Sequence, residues 1–280
     1  MTIREINETI EEGESLKTIA LVFVELASVK IRKIRAEVEQ NRLFFDEIAQ
    51  VYRTVRQQAV SKKVSVKKTK PAVSILLTSN YGFYGNIDIE VVRLFLETTP
   101  KFPTDRVIIG RTGQAYLKAM RYFNPYEPLV FKNDLPNPNE LKALNAAIRN
   151  YSQILVFYPE LHTLLVQKPA VTDITQTYRQ EFNQTSVPAG SYVIFEPELE
   201  KILEFFNDQI ISLLLEQTFF EAELARTGAR IIAMDQAQTE AGRYLETQKQ
   251  LKAHIQRMIQ NTRLLENLNS MMAVRKETHG

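Results

Sequence analysis

The chain has 280 residues, 44% of them hydrophobic and 24% charged, a composition able to bury a core without staples. Lys and Arg number 35 against 33 Asp and Glu, so no global field favours nucleic acid or an acidic surface, and any basic partner site must be local. The absence of cysteine excludes disulfides, thiolate metal sites and a cysteine nucleophile.

All eleven prolines fall between Pro71 and Pro197. Proline removes a backbone donor and clashes with the preceding helical turn, so both flanks are free to form very long helices. The N-terminal flank shows one. Ile6, Ile10, Leu16, Ile19, Phe23, Leu26, Ile31, Ile34, Val38 and Ile48 recur at helical spacing from Ile3 to about Ala59. Gly13 is the expected kink or break in it. Ile19 to Val29 is its most apolar run, but Glu25 interrupts it and it is about half a membrane span; Met1 to Glu14 is too acidic for a signal peptide. Lys62, Lys63, Lys67, Lys68 and Lys70 then form a basic linker, whose cations meet the negative end of the helix dipole.

Between the flanks, apolar runs alternate with helical patterns. Ala72–Thr78, Asp105–Gly110 and Ser152–Tyr158 read as buried strands, with Leu161–Val166, Asp173–Phe182 and Tyr192–Phe195 as further candidates. Helices are expected at Ile87–Glu97, Gln114–Arg121 and Asn139–Asn150. This is the pattern of a small α/β layer with a mostly parallel sheet. Pro197 suits the first position of the last helix, where its missing donor is not needed. From there Leu203, Phe206, Ile210, Leu213, Phe220, Leu224, Ile231, Met234, Ala241, Leu245, Ile255 and Ile259 keep a three-four alternation. Gln217, Thr227, Gln238, Gln248 and Lys252 occupy seam positions where a dedicated dimer prefers aliphatics, which suits an intramolecular antiparallel partner. The expected organisation is therefore a helix over 1–70, an α/β domain over 71–197 and a helix over 198–280, the terminal helices forming an antiparallel coiled coil beside a Rossmann-like layer.

Chemistry is sparse. Ser79–Gly85 follows a strand and precedes a helix, where a nucleotide loop would sit, but it lacks G-x-G-x-x-G and Gly-Lys-Ser/Thr spacing. A tight turn is the simpler reading. His162, His254 and His279 stand alone, none in a metal-ligand spacing. Carboxylates on the long helices alternate with Lys and Arg as on a solvated face, and no nucleophile, base and orienter can be assembled. No catalytic residue, metal site or cofactor is expected.

Several segments, in order along the whole chain, resemble the gamma subunit family, the central stalk of rotary F-type ATP synthases. Ala27-Ser-Val-Lys-Ile-Arg-Lys33 is similar to its alanine-rich segment ending in Lys-Leu-Arg-Arg. Ser79-Asn-Tyr-Gly-Phe-Tyr-Gly85 resembles its Ser-Asp-Arg-Gly-Leu-Cys-Gly turn, and Ile109-Gly-Arg-Thr-Gly113 its Ile-Gly-Arg-Lys-Gly strand end. Phe195-Glu-Pro197 resembles Tyr-Glu-Pro, and Ala229-Arg-Ile-Ile-Ala-Met-Asp-Gln-Ala237 its Ala-Ala-Arg-Met-x-Ala-Met-x-x-Ala block. Glu14-Ser-Leu-Lys-Thr-Ile19 departs from the family's Asn-Thr-x-Lys-Ile-Thr, and Arg257 to Thr262 only faintly matches its Arg-Gln-x-x-Ile-Thr. A divergent branch is expected.

The resemblance implies a non-catalytic shaft inside a ring of three alpha and three beta subunits. Its α/β domain would be a foot beside the epsilon subunit and the ring of membrane c subunits, on the cytoplasmic face of the cell membrane. Lys30, Arg32, Lys33, Arg35, Arg257 and Thr262 are the implied contacts with beta subunits. Leu264, Leu265, Leu268, Met271 and Met272 form an apolar bearing, and Tyr192, Phe195 and Glu196 a partner contact on the foot. The competing readings are a coiled-coil scaffold whose α/β head binds another protein, and a small α/β enzyme with helical arms.

Overall fold

The computed structural model describes residues 2–61, 70–177 and 198–277. The chain divides into two compact units, Met1–Leu26 with Ala233–Gly280, and Ala27–Ile232. Its terminal helices are α1 (Ile3–Ser61) and α5 (Leu199–Glu277).

In the first unit the start of α1 lies antiparallel to α5. Ile6, Ile10 and Leu245 form a small core with Ile255 packed on it. The helix runs unbroken through Gly13, so the expected break is absent. A Cβ there would lie 2.8 Å from Leu245 Cδ2, so the missing side chain makes room for the leucine of the other helix. One turn away, Lys249 Nζ donates to Glu14 Oε1 at 2.8 Å. Every residue from Gln256 to Met271 is exposed.

The second unit carries the α/β layer. Its elements are β1 (Lys70–Leu77), α2 (Ile87–Thr98), β2 (Asp105–Ile109), α3 (Arg111–Ala119), β3 (Glu127–Leu129), α4 (Pro138–Ile148), β4 (Tyr151–Thr163) and β5 (Val166–Asp173). The sheet order is β3-β2-β1-β4-β5, parallel except for the β4–β5 hairpin. Successive strand side chains point to opposite faces, and both faces are covered. Val73, Ile75, Leu77, Ile154 and Val156 meet α4 through Leu141, Leu144 and Ile148, and the terminal helices through Tyr52, Ile210, Leu214 and Phe219. The alternate set, Leu76, Ile108 and Phe157, meets Val91, Val92 and Phe95 of α2 and Leu117 of α3. Within this unit α1 and α5 are antiparallel. Lys30 pairs with Glu223, Asn41 donates to Glu216 at 2.9 Å, and Tyr52 donates to Asn207 at 2.8 Å.

Three strand expectations are corrected or fall outside the description. Of the candidate Asp173–Phe182, residues 178–182 lie outside the described residues, and 174–177 form a helical turn started by Asp173: its Oδ1 accepts from Gln176 N at 3.0 Å and its carbonyl from Thr177 Oγ1 at 3.0 Å. Leu161–Val166 is split by a turn at Leu164 and Leu165, where Val166 N donates to Thr163 Oγ1 at 3.1 Å. Tyr192–Phe195 lies outside the described residues, as do Lys62 to Lys68, while Lys70 opens β1. Strand β3 was not expected. It contains Pro128 and pairs only with β2, as a proline-bearing strand at a sheet edge can. Helix α4 begins at Pro138 behind a capping box between Asn137 and Glu140.

Candidate functional site

The turn between β1 and α2 is built from the sheet upward. Gly110 ends β2 at φ +99°, a region closed to most side chains, and a Cβ there would overlap the Thr78 carbonyl. That close approach brings α3 against the end of β1. The first backbone donors of α3 are then consumed locally: Arg111 N by Asn80 Oδ1 at 3.3 Å, Thr112 N by the Ser79 carbonyl at 3.0 Å and Gly113 N by Thr78 Oγ1 at 3.0 Å. A nucleotide loop would leave its own donors for phosphate; within Ser79–Gly85, Ser79 N is taken by Asp88 and Asn80 N by Asp134, which supports the tight turn.

Beneath the turn lies a network of buried charge. Ser79 N donates to Asp88 Oδ2 at 3.1 Å, and Ser79 Oγ donates to the same oxygen. Asp134, from the loop before α4, accepts from Asn80 N at 2.6 Å and from the Tyr84 hydroxyl at 2.7 Å. Helix α5 supplies Glu223 and Arg226, both fully buried, with Arg226 Nη2 donating to Glu223 Oε2 at 3.1 Å. Lys30 of α1 pairs with the other Glu223 oxygen. Arg230 lies 4.1 Å over the Tyr84 ring and donates to the Gly82 carbonyl at 3.2 Å.

The electrostatics follow from burial. Desolvation pushes the Asp88 carboxyl above the usual range, opposed by the Arg226 charge and by both Ser79 donors. Burial, with the Glu223 and Asp134 charges, pushes the Tyr84 hydroxyl up and keeps it a donor. For Arg226, desolvation disfavours the cation, yet Glu223, Asp88 and Asp134 outweigh it and raise its pKa. A chain of paired charges and donors of this kind can fix geometry; it offers no nucleophile or exposed base.

The expected contact residues take several positions. Arg32, Lys33 and Arg35 are exposed, while Lys30 is turned toward Glu223. Arg257 is exposed, and Thr262 is exposed with its hydroxyl donating to the Met258 carbonyl at 3.0 Å. Leu264, Leu265, Leu268 and Met271 are 59, 60, 46 and 69% exposed, and Met272 continues the same helix. Tyr192, Phe195 and Glu196 lie outside the described residues. Residues Asp88, Asp134, Glu223 and Arg226 escaped the sequence reading. Their one signal is a Glu and an Arg three apart among apolar seam residues, a spacing that reads equally as a surface pair. Among the described residues no helix is long and apolar enough to cross a membrane.

Two long terminal helices, antiparallel in each unit, with an α/β layer inserted between them in sequence, define a stalk-type subunit. A family model described as ATP synthase matches residues 2–262, and the chain belongs to that family, as a gamma subunit of the central stalk. Among curated relatives, the ATP synthase gamma chain of Clostridium novyi is 27% identical over 256 residues, spanning 87% of this chain and 86% of the relative. The ATP synthase gamma chain, sodium ion specific, of Acetobacterium woodii is 21% identical over 270 residues, spanning 87% and 89%. Among solved structures, a chain of the Euglena gracilis mitochondrial ATP synthase rotor matches with a TM-score of 0.61 at 16% identity, over 92% of this chain and 98% of that one. A chain of the Tetrahymena thermophila central stalk and c-ring structure matches at 0.57 and 18% identity, over 78% and 99%.

Proposed function

We propose that this subunit is the rotor that couples ion flow through the membrane c-ring to ATP synthesis and hydrolysis on beta subunits. It turns inside the alpha–beta hexamer, with residues 71–197 as a foot beside the epsilon subunit and the c-ring, at the cytoplasmic face of the cell membrane. An asymmetric shaft facing three equivalent sites biases each toward a different conformation, because its contact energy with each differs. Arg32, Lys33 and Arg35, with Lys30 at their edge, form a polar track toward beta, and Arg257 and Thr262 on α5 are separate contacts with beta subunits. Exposed ion pairs are worth under about 1 kcal/mol each, which suits sliding contacts better than a latch.

The observation that carries this reading is the end of α5. A helix exposed from Gln256 to Met271 and bearing Leu264, Leu265, Leu268 and Met271 presents an apolar stripe to water. Contiguous exposed apolar surface marks a site that a partner covers. An apolar sleeve in the hexamer is that cover. The test is affinity purification of the full chain and of a chain lacking Leu264–Gly280. The full chain is expected to bring down one hexamer, one copy to three beta subunits, and the deletion to lower either the recovered hexamer or the ions moved per ATP. Recovery of the full chain only as a self-associated coiled coil would favour the scaffold instead.

A further inference from the structure

The buried charges under the turn come from both sides of the junction between the α/β layer and the helix pair. Lys30 belongs to α1, Glu223, Arg226 and Arg230 to α5, Asp88 to α2, and Asp134 to the loop before α4. Apolar contact at this place is small: Tyr84, Ile87 and Ala229 form a cluster of their own, apart from the main core. The main core packs the sheet and α4 against α1 and α5; at the turn, where apolar contact is thin, direction comes from charge. Any shift of α5 against the turn would draw the fully buried Arg226 away from Asp88 and Asp134 and pull Arg230 off the Gly82 carbonyl and the Tyr84 ring, leaving desolvated charge without compensation.

Stability alone does not account for these residues. Replacing a buried ion pair by well-packed apolar side chains is often neutral or stabilising, and the best-attested use of such groups is to fix register. Carboxylates and cations here are balanced, and Asp88 Oδ1 and Arg226 Nη1 are buried without a hydrogen bond among the described residues. The arrangement favours a unique setting over maximal stability.

We infer that Glu223 and Arg226 are positioning residues that lock the angle between the α/β layer and the α1–α5 pair, so that torque passes between them without slip. Lys30, held by Glu223, belongs to this lock and contributes to the polar track only at its edge. The inference rests on the rotor reading proposed above.

The experiment uses the whole complex in sealed vesicles, with ATP hydrolysis and ATP-driven ion uptake measured together. In one variant the charges are neutralised jointly by Asp88→Asn, Glu223→Gln and Arg226→Met; Lys30, partly exposed, can turn to solvent. This complex is expected to assemble and hydrolyse ATP while the ions moved per ATP fall about tenfold, the signature of lost coupling as opposed to lost protein. Arg226→Lys, which keeps the charge, is expected to stay within about twofold of wild type. An unchanged ion-to-ATP ratio in the neutralised variant would overturn the lock. So would its failure to assemble while Arg226→Lys behaves normally, since the network would then serve folding alone. A wild-type complex that hydrolyses ATP without moving ions would instead count against the rotor reading itself.

Discussion

Replacing Arg226 by alanine is expected to cost the full chain about 3–5 kcal/mol of stability, seen as a lower midpoint in denaturant or heat. Arg226 is completely buried, and its guanidinium faces Glu223 directly with Asp88 and Asp134 contributing through space. Alanine removes the cation and leaves these carboxylates desolvated. Lys30 still meets Glu223, but Asp88 loses the main charge that offsets its burial. The truncated side chain also leaves a void where packing is dense. Arg226→Lys should recover part of the loss. A drop below about 1 kcal/mol for the alanine variant would show that the carboxylates find other compensation, and would remove the physical basis for calling the network directional.

Gly110→Ala is expected to destabilise by about 2–4 kcal/mol through the backbone. Its φ of +99° is strained for any side chain, and the new methyl would collide with the Thr78 backbone, which has no rotamer to relieve it. Relaxation would push α3 away from β1 and break the bond from Gly113 N to Thr78 Oγ1. Gly82 is the matched control. A Cβ there meets nothing within 4 Å, so Gly82→Ala should stay within about 0.5 kcal/mol of wild type. Thermal unfolding of the two variants side by side separates these outcomes, and equal effects would contradict the account of the turn.

Periodicity made the long helices and the central strands legible, because a face that must be buried repeats with the geometry of its element. Ala72–Thr78 read as apolar throughout since helices cover both faces of the sheet, and β1 fills that description. Local polar chemistry was harder to read. The run after β5 is rich in strand-forming Ile, Thr and aromatic residues, but one carboxylate at Asp173 offers the backbone a helical turn in its place. Gly13 looked like a breaker because its partner, Leu245, lies 232 positions away and no local pattern reveals it.

The charge network was least legible for a related reason. Glu223 and Arg226 lie on one helix face at a spacing typical of solvated pairs, and only the turn, α1 and α2 closing over them turn a surface pattern into a buried lock. The outward residues need no such closure: Arg32, Lys33, Arg35 and the leucines near the end of α5 are exposed.

Rotation itself is the most direct measurement. The chain has no cysteine, so Lys101→Cys, at an exposed position of the α/β layer, would give it a single thiol for a bead or rod. With the hexamer fixed to a surface and ATP added, the probe is expected to turn continuously in one direction. A probe that stays still while the same complexes hydrolyse ATP would contradict the account.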